Sequence, residues 1–178
     1  MRILQKWMAG ISALALAGMT TQALAQAESS NLVAEKTDWA VYEDSDPKEC
    51  WAVSVPTQSV ITVDGRVEDR SRGDVLLMVF YRPDAGANAQ VTFTGGYPFA
   101  DSSNVRVAIS GSTYEMFVDG EWAWPADTSA DAQIVTAMRR GAQAVVTGQS
   151  SRGATTTDTF SLLGFTAALE EAQTRCAS

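Results

Sequence analysis

Histidine is absent from this 178-residue chain, cysteine occurs twice, and only three lysines are present. Without histidine the chain hosts neither a Ser-His-Asp nor a Cys-His nucleophile, and ordinary zinc sites are excluded with them. Positive charge is scarce as well: 13 Lys and Arg stand against 21 Asp and Glu, a net charge of −8. A surface of that sign repels phosphate backbones and anionic headgroups, which makes nucleic acid and acidic lipid poor partners. The apolar stretch at residues 8–19 is too short to span a bilayer as a lasting anchor, and no other run is long or apolar enough, so no stable membrane insertion is expected.

That one apolar run has a reading of its own. Arg2 and Lys6 precede it and "TTQALAQA" follows, where Ala23 and Ala25 obey the small-x-small rule for cleavage. Residues 1–25 therefore read as a signal peptide, with no cysteine near the cleavage site to carry a lipid anchor. Its removal takes away two basic residues and no acidic one, so the net charge falls from −8 to −10. What is left has the length of one domain with a real core. Residues 26–37, "QAESSNLVAEKT", are polar and unpatterned and read as a flexible leader. The single domain is expected over residues 38–178, in the periplasm, with secretion or surface association as further destinations.

Export changes the meaning of the two cysteines. In an oxidising compartment a distant pair, neither CxxC nor accompanied by histidine, points to a structural bridge rather than a redox or metal site. A disulfide between Cys50 and Cys176 is the expectation.

Along the domain the pattern is that of short strands. "DWAVYE" and "CWAVSV" alternate; in the second, Trp51, Val53 and Val55 share one face and Cys50, Ala52 and Ser54 the other. Asp64 with Gly65 and Asp119 with Gly120 each lie between alternating apolar residues, the strongest short hairpin signal. The second hairpin places Tyr114, Met116 and Val118 on one face, opposite a tryptophan-rich return strand. "VLLMVFY" at 75–81 has no polar face and should be buried on both sides. "QVTFTG", "VRVAIS", "QAVVTGQS" and "TTTDTF" continue the series. Seven or eight short strands with frequent turns suggest an antiparallel sandwich or barrel.

Two segments read as short helices. "DTSADAQIVTAMRRG" offers Thr128 and Asp131 as a capping box, an apolar stripe of Ile134, Val135 and Met138, and Gly141 as a stop. In "SLLGFTAALEEAQTRC", Ser161 is the expected N-cap, and Phe165, Ala168, Leu169, Ala172 and Cys176 recur at helical spacing. The sulfur of Cys176 thus points at the body of the protein. With Trp51 turned to the sheet core, Cys50 faces the side of its strand where a docked helix meets it, and the bridge pins that C-terminal helix to the sheet.

Taken in order, "ECWAVS" at 49–54, "VFYRP" at 79–83, "GGYPF" at 95–99, "MFVDGEWAW" at 116–124, "QIVTAMRRG" at 133–141 and "SSRGATTTDTFSLLGFTAAL" at 150–169 resemble the invasion-associated locus B family of alphaproteobacterial secreted proteins. The resemblance covers nearly the whole mature chain. It implies a mostly β, single-domain, immunoglobulin-like antiparallel β-sandwich, exported, with no transferable catalytic set and no cofactor. The family is named for members linked to host-cell entry. Members often carry additional cysteines near the start of the domain, whereas this chain has two in all.

The residues themselves leave little room for chemistry. "QSSRGA" at 149–154 lacks the elbow of a serine hydrolase and reads as a turn. Glu43, Asp44, Asp46 and Glu49 cluster ahead of Cys50; such acids serve a glycosidase only as a facing pair across a cleft, lack the spacing of a calcium loop, and read as a solvated acidic segment. Tyr97, Phe99, Trp122 and Trp124 stand beside turn residues, where aromatics form a partner-binding patch or plug the ends of a sandwich core. The reading that results is a non-enzymatic exported interaction protein, with no cofactor or metal and a protein partner in the envelope or on a host. A carboxylate-based wall or glycan hydrolase and a structural or stress-tolerance periplasmic protein are the alternatives.

Overall fold

The computed structural model describes residues 31–177; the expected signal peptide and the first part of the expected leader lie outside them. Twelve strands and two helices follow one another: β1 (Leu32–Lys36), β2 (Trp39–Ser45), β3 (Lys48–Ser54), β4 (Gln58–Val63), β5 (Arg66–Glu68), β6 (Leu76–Arg82), β7 (Ala87–Thr94), β8 (Asn104–Ile109), β9 (Ser112–Asp119), β10 (Trp122–Trp124), α1 (Thr128–Arg140), β11 (Gln143–Gln149), β12 (Thr155–Ser161) and α2 (Phe165–Cys176). All strand pairs are antiparallel, in one open sheet of order β1-β2-β3-β6-β7-β10-β9-β8-β11-β12-β4-β5. The sheet folds over on itself. Phe93 of β7 meets Phe160 of β12 edge-to-face at 6.1 Å, and the Trp39 indole of β2 donates to the Ser161 carbonyl at 3.0 Å. The β-sandwich expectation is met by this one folded sheet, with α2 packed on β1, β2, β3 and β6.

The described residues hold twelve strands where seven or eight are expected; one of them, β1, falls in the segment expected as leader. Leu32–Lys36 is not loose: it pairs with β2, and Val33 and Ala34 pack against the core. An edge strand touching its neighbour on one side only carries a weak alternation, which is why composition alone concealed it.

Register assigns every side chain to one of two faces. Val41, Cys50, Ala52, Leu77, Val79, Phe93, Met116, Val107, Val146 and Phe160 line the inner face and are fully or almost fully buried. In "VLLMVFY" both faces are largely closed: Leu77, Met78, Val79 and Tyr81 are all buried. Trp51 belongs to the outer face. Core and docked helix therefore lie on the same side of β3, that of Cys50, which corrects the expectation that Trp51 faces the core. Parity could not decide it, because either face of the strand offered apolar residues.

The first hairpin turns at Asp64 and Gly65, both at positive φ (48° and 75°), as a tight two-residue loop requires. In the second, Asp119 is still paired, opposite Trp122, so the turn falls one residue later, on Gly120 and Glu121. The helices also begin differently from expectation. Asp127, not Thr128, caps α1 by accepting from the Ala130 N–H, and Asp131 turns inward to accept from the Val91 N–H at 2.8 Å. That bond satisfies a backbone donor of β7 that no neighbouring strand takes up. Ser161 ends β12 rather than capping α2. The cap position is Gly164 at φ 89°, where a Cβ would run into the Lys36 carbonyl.

Candidate functional site

Three regions of the domain hold the residues singled out above. The first is the seam between α2 and the β2–β3 hairpin. Phe165, Ala168, Leu169 and Ala172 are buried on the expected stripe; Phe165 and Leu169 contribute about 1.5–3 kcal/mol each by leaving water. Cys176 at its end is joined to Cys50, with the Cα atoms 5.7 Å apart. Around the bridge Glu43 accepts from Lys48 (2.7 Å) and Arg175 (3.1 Å), and Glu171 pairs with Arg175 (2.8 Å) and Lys36 (3.2 Å). The hydrogen bonds from Lys48 and Arg175 hold the Glu43 carboxyl below its ordinary value, and those from Lys36 and Arg175 do the same for Glu171. The acidic segment is thus a paired hairpin and not a solvated loop. Glu49 pairs with Arg82, Asp44 accepts from Asn31, and Asp46 is exposed at the turn. Among the described residues no group of three or more His, Cys, Asp or Glu is placed to hold a metal.

The second region is the outer face. Tyr42, Trp51 and Phe80, directly opposite one another on β2, β3 and β6, stack at 5.5 and 5.8 Å, and the Arg82 guanidinium lies 4.2 Å over Phe80. Further along, Trp122 stacks on Trp124 at 6.5 Å, and Trp124 is the cross-strand partner of Phe117. Trp122 is 40% and Phe117 55% exposed. The small Ala123 takes the inward position between the two tryptophans. On β6 and β7, Met78, Thr92 and Thr94 lie on this face, buried, and the Thr92 hydroxyl has no hydrogen-bond partner among the described residues.

The other two aromatics belong elsewhere. Phe99 is buried on the inner side against Phe93, and Tyr97 packs on Phe99 at 5.1 Å. Both rings need bare backbone beneath them: a Cβ at Gly148 would come within 2.9 Å of Phe99 and 3.0 Å of the Tyr97 hydroxyl. The sheet separates this pair from Trp122 and Trp124, so the four do not form one patch.

The third region is a cleft of about 250 Å³ at the open end of the sandwich, lined among others by Arg70, Arg72, Tyr97, Ser150, Arg152 and Thr156. Arg72 is its anchor. Its side chain is nine-tenths buried and forms a bidentate pair with Asp158, which is fully buried and also accepts from Ser59; a further N–H goes to the Gly95 carbonyl. Tyr97 and Thr156 share a hydroxyl–hydroxyl bond of 2.5 Å. Burial pushes the Tyr97 phenol above its ordinary value, so it stays protonated at neutral pH.

With fold and geometry in place, comparison gives the family. The model of the invasion associated locus B (IalB) protein family matches residues 43–173. The chain belongs to the IalB family. The match runs from the β2–β3 hairpin through most of α2, and so takes in Cys50, the cleft and the outer aromatics. Comparison with curated proteins and with solved structures returned no significant match.

Sequence reasoning missed Arg72 and Asp158, and it read Ser150, Ser151 and Arg152 only as a turn. A signal was present in "TTTDTF": Asp158 shares inward parity with Phe160, and a charge at such a position demands a buried partner.

Proposed function

We propose that this IalB-family protein is a non-enzymatic periplasmic interaction domain that engages a protein partner through the outer aromatic face. One observation carries the reading. Trp122, Trp124 and Phe117 point away from a core that Ala123 and Met116 fill without them. Large aromatics outside a closed core, stacked in place on a rigid sheet, are the residue type that anchors protein interfaces. Exposed Asp119 and Glu121 flank them, so the fitting partner offers an apolar knob rimmed by basic groups. Of the carboxylates picked out in the sequence, Glu43, Asp44 and Glu49 serve as ion-pair and hydrogen-bond partners, which supports the non-enzymatic side of the reading. The bridge fits the oxidising compartment.

In-cell crosslinking of the tagged mature protein tests it. The expected result is one dominant envelope protein, lost when Trp122 and Trp124 are both changed to alanine while the melting transition is kept. Retention that ignores the double substitution would sink the assignment of this face.

A further inference from the structure

The cleft at the open end of the sandwich has more hydrogen-bond donors than acceptors. Of the five guanidinium N–H groups of Arg72, two reach Asp158 and one reaches the Gly95 carbonyl; Nε–H and one Nη2 hydrogen have no partner among the described residues. The Tyr97–Thr156 bond uses one hydroxyl hydrogen of two. The Ser150 hydroxyl accepts from the Ala154 N–H and keeps its own hydrogen to give. Arg152, exposed at the rim, makes no ion pair among the described residues. Several backbone acceptors of the lining are engaged: Gly95 by Arg72, Gly96 by the Gly73 N–H, Pro98 by the Ser151 N–H and Ser150 by the Gly153 N–H.

A cavity with a fixed guanidinium and free hydroxyl hydrogens on its wall, and its one carboxylate, Glu121, at the rim, suits an oxyanion. Charge balance narrows the choice. Asp158 neutralises Arg72 and Glu68 pairs with Arg70 at 2.6 Å, which leaves Arg152 as the unpaired cation and Glu121 as a repelling charge at the rim. A dianion is disfavoured there. Ile61, Pro98 and Ala154 supply an apolar wall for the rest of the molecule. We infer that the cleft binds the carboxylate of a compact organic monoanion, either a free small acid or the C-terminal end of a peptide. Arg72 is the fixed, pre-oriented donor, because Asp158 holds its guanidinium plane. Arg152 supplies the attracting charge. The inference does not rest on the aromatic face, which lies on the other side of the sheet; Glu121, in the turn between them, borders both.

The test is an amide NMR titration of the isotope-labelled mature protein with N-acetyl-alanine, with its amide N-acetyl-alaninamide, and with inorganic phosphate. Saturable shifts confined to Gly96, Ser151, Gly153 and Ala154 are expected for the acid, with the amide and phosphate weaker. Arg152→Gln, an exposed change that leaves the fold intact, should weaken the acid at least about tenfold, as loss of a charge-assisted hydrogen bond implies. An acetylated Gly-Ala-Ala tripeptide binding more tightly than N-acetyl-alanine assigns the cleft to chain ends; equal or weaker binding assigns it to free small acids. No saturable shifts at millimolar acid, equal binding of the amide, or tighter binding of phosphate would overturn the inference. Crosslinking through Trp122 is unaffected by Arg152→Gln, so the two readings fail separately.

Discussion

The folded sheet is fastened at one end by sulfur and apolar side chains, while at the other an arginine and an aspartate pair beside an open cleft. At the α2 end, Phe165 and Leu169 leave water, Cys176 is bonded to Cys50, and charges stay at the surface where they are cheap to keep. At the cleft end, Arg72 and Asp158 are both withdrawn from water, where attraction between two charges barely offsets the loss of their hydration. The comparison teaches a division of labour: the first end makes stability, and the second sacrifices some to hold a guanidinium in a set orientation beside a cavity.

The largest effect should come from breaking the first end. Cys50→Ala with Cys176→Ala opens a loop of 126 residues, which in the chain-entropy model costs about 4–5 kcal/mol. Urea unfolding should register the loss while the amide signals of the cleft stay in place; cleft signals that collapse together with α2 would erase the distinction between the ends. Next is Arg72→Met alone, which strands Asp158 as a buried charge and should cost about 3–5 kcal/mol. Adding Asp158→Leu should restore most of it, because two apolar groups need no hydration replaced. A double variant no more stable than the single one would mean that the ion pair itself is stabilising.

Gly164→Ala comes third. Positive φ alone costs about 1–3 kcal/mol for a residue with a Cβ, and the obstructing Lys36 carbonyl adds to it. Thermal melting should show destabilisation through the β1–β2 turn and the start of α2, with the cleft end untouched.

The smallest effects are in pH dependence, and they have opposite signs. The Glu43 carboxyl is depressed below 4.5 by Lys48 and Arg175, so its contribution is present above 4.5 and lost as pH falls through its lower folded value. Glu43→Gln should flatten that acid limb. Asp131 is raised above 3.8 by burial, so its favourable contribution is complete below 3.8 and disappears as pH rises through the folded value. Asp131→Asn, which keeps an acceptor for the Val91 N–H, should gain on the wild type as pH rises from acid to neutral. Unfolding free energies from pH 3 to 7 would show both, and parallel profiles for the two variants would refute the assignments.

What could be read in the chain divides along the same line. Cys176 fell on the right face because a helix repeats its contacts every three or four residues, and the bridge followed from there being two cysteines and no histidine. Trp122 and Trp124 were placed on one face, but parity could not say which, since Ala123 gave no hint of filling the core. Arg72 and Asp158 were invisible as a pair: 86 residues apart, they share no local pattern, and their meeting depends on how far the sheet folds over. Leu32–Lys36 is hidden in the chain for a similar reason, β1 being a strand by virtue of its contacts with β2 and α2.

The sheet is open, and its two margins are β1 and β5. Such margins are templates on which further chains add strand by strand into fibrils. Here one margin is three residues long and carries Arg66 and Glu68 around a single valine, and the other ends in Glu35 and Lys36. Short and charged borders make poor templates, so neither margin of the described sheet invites strand-by-strand growth.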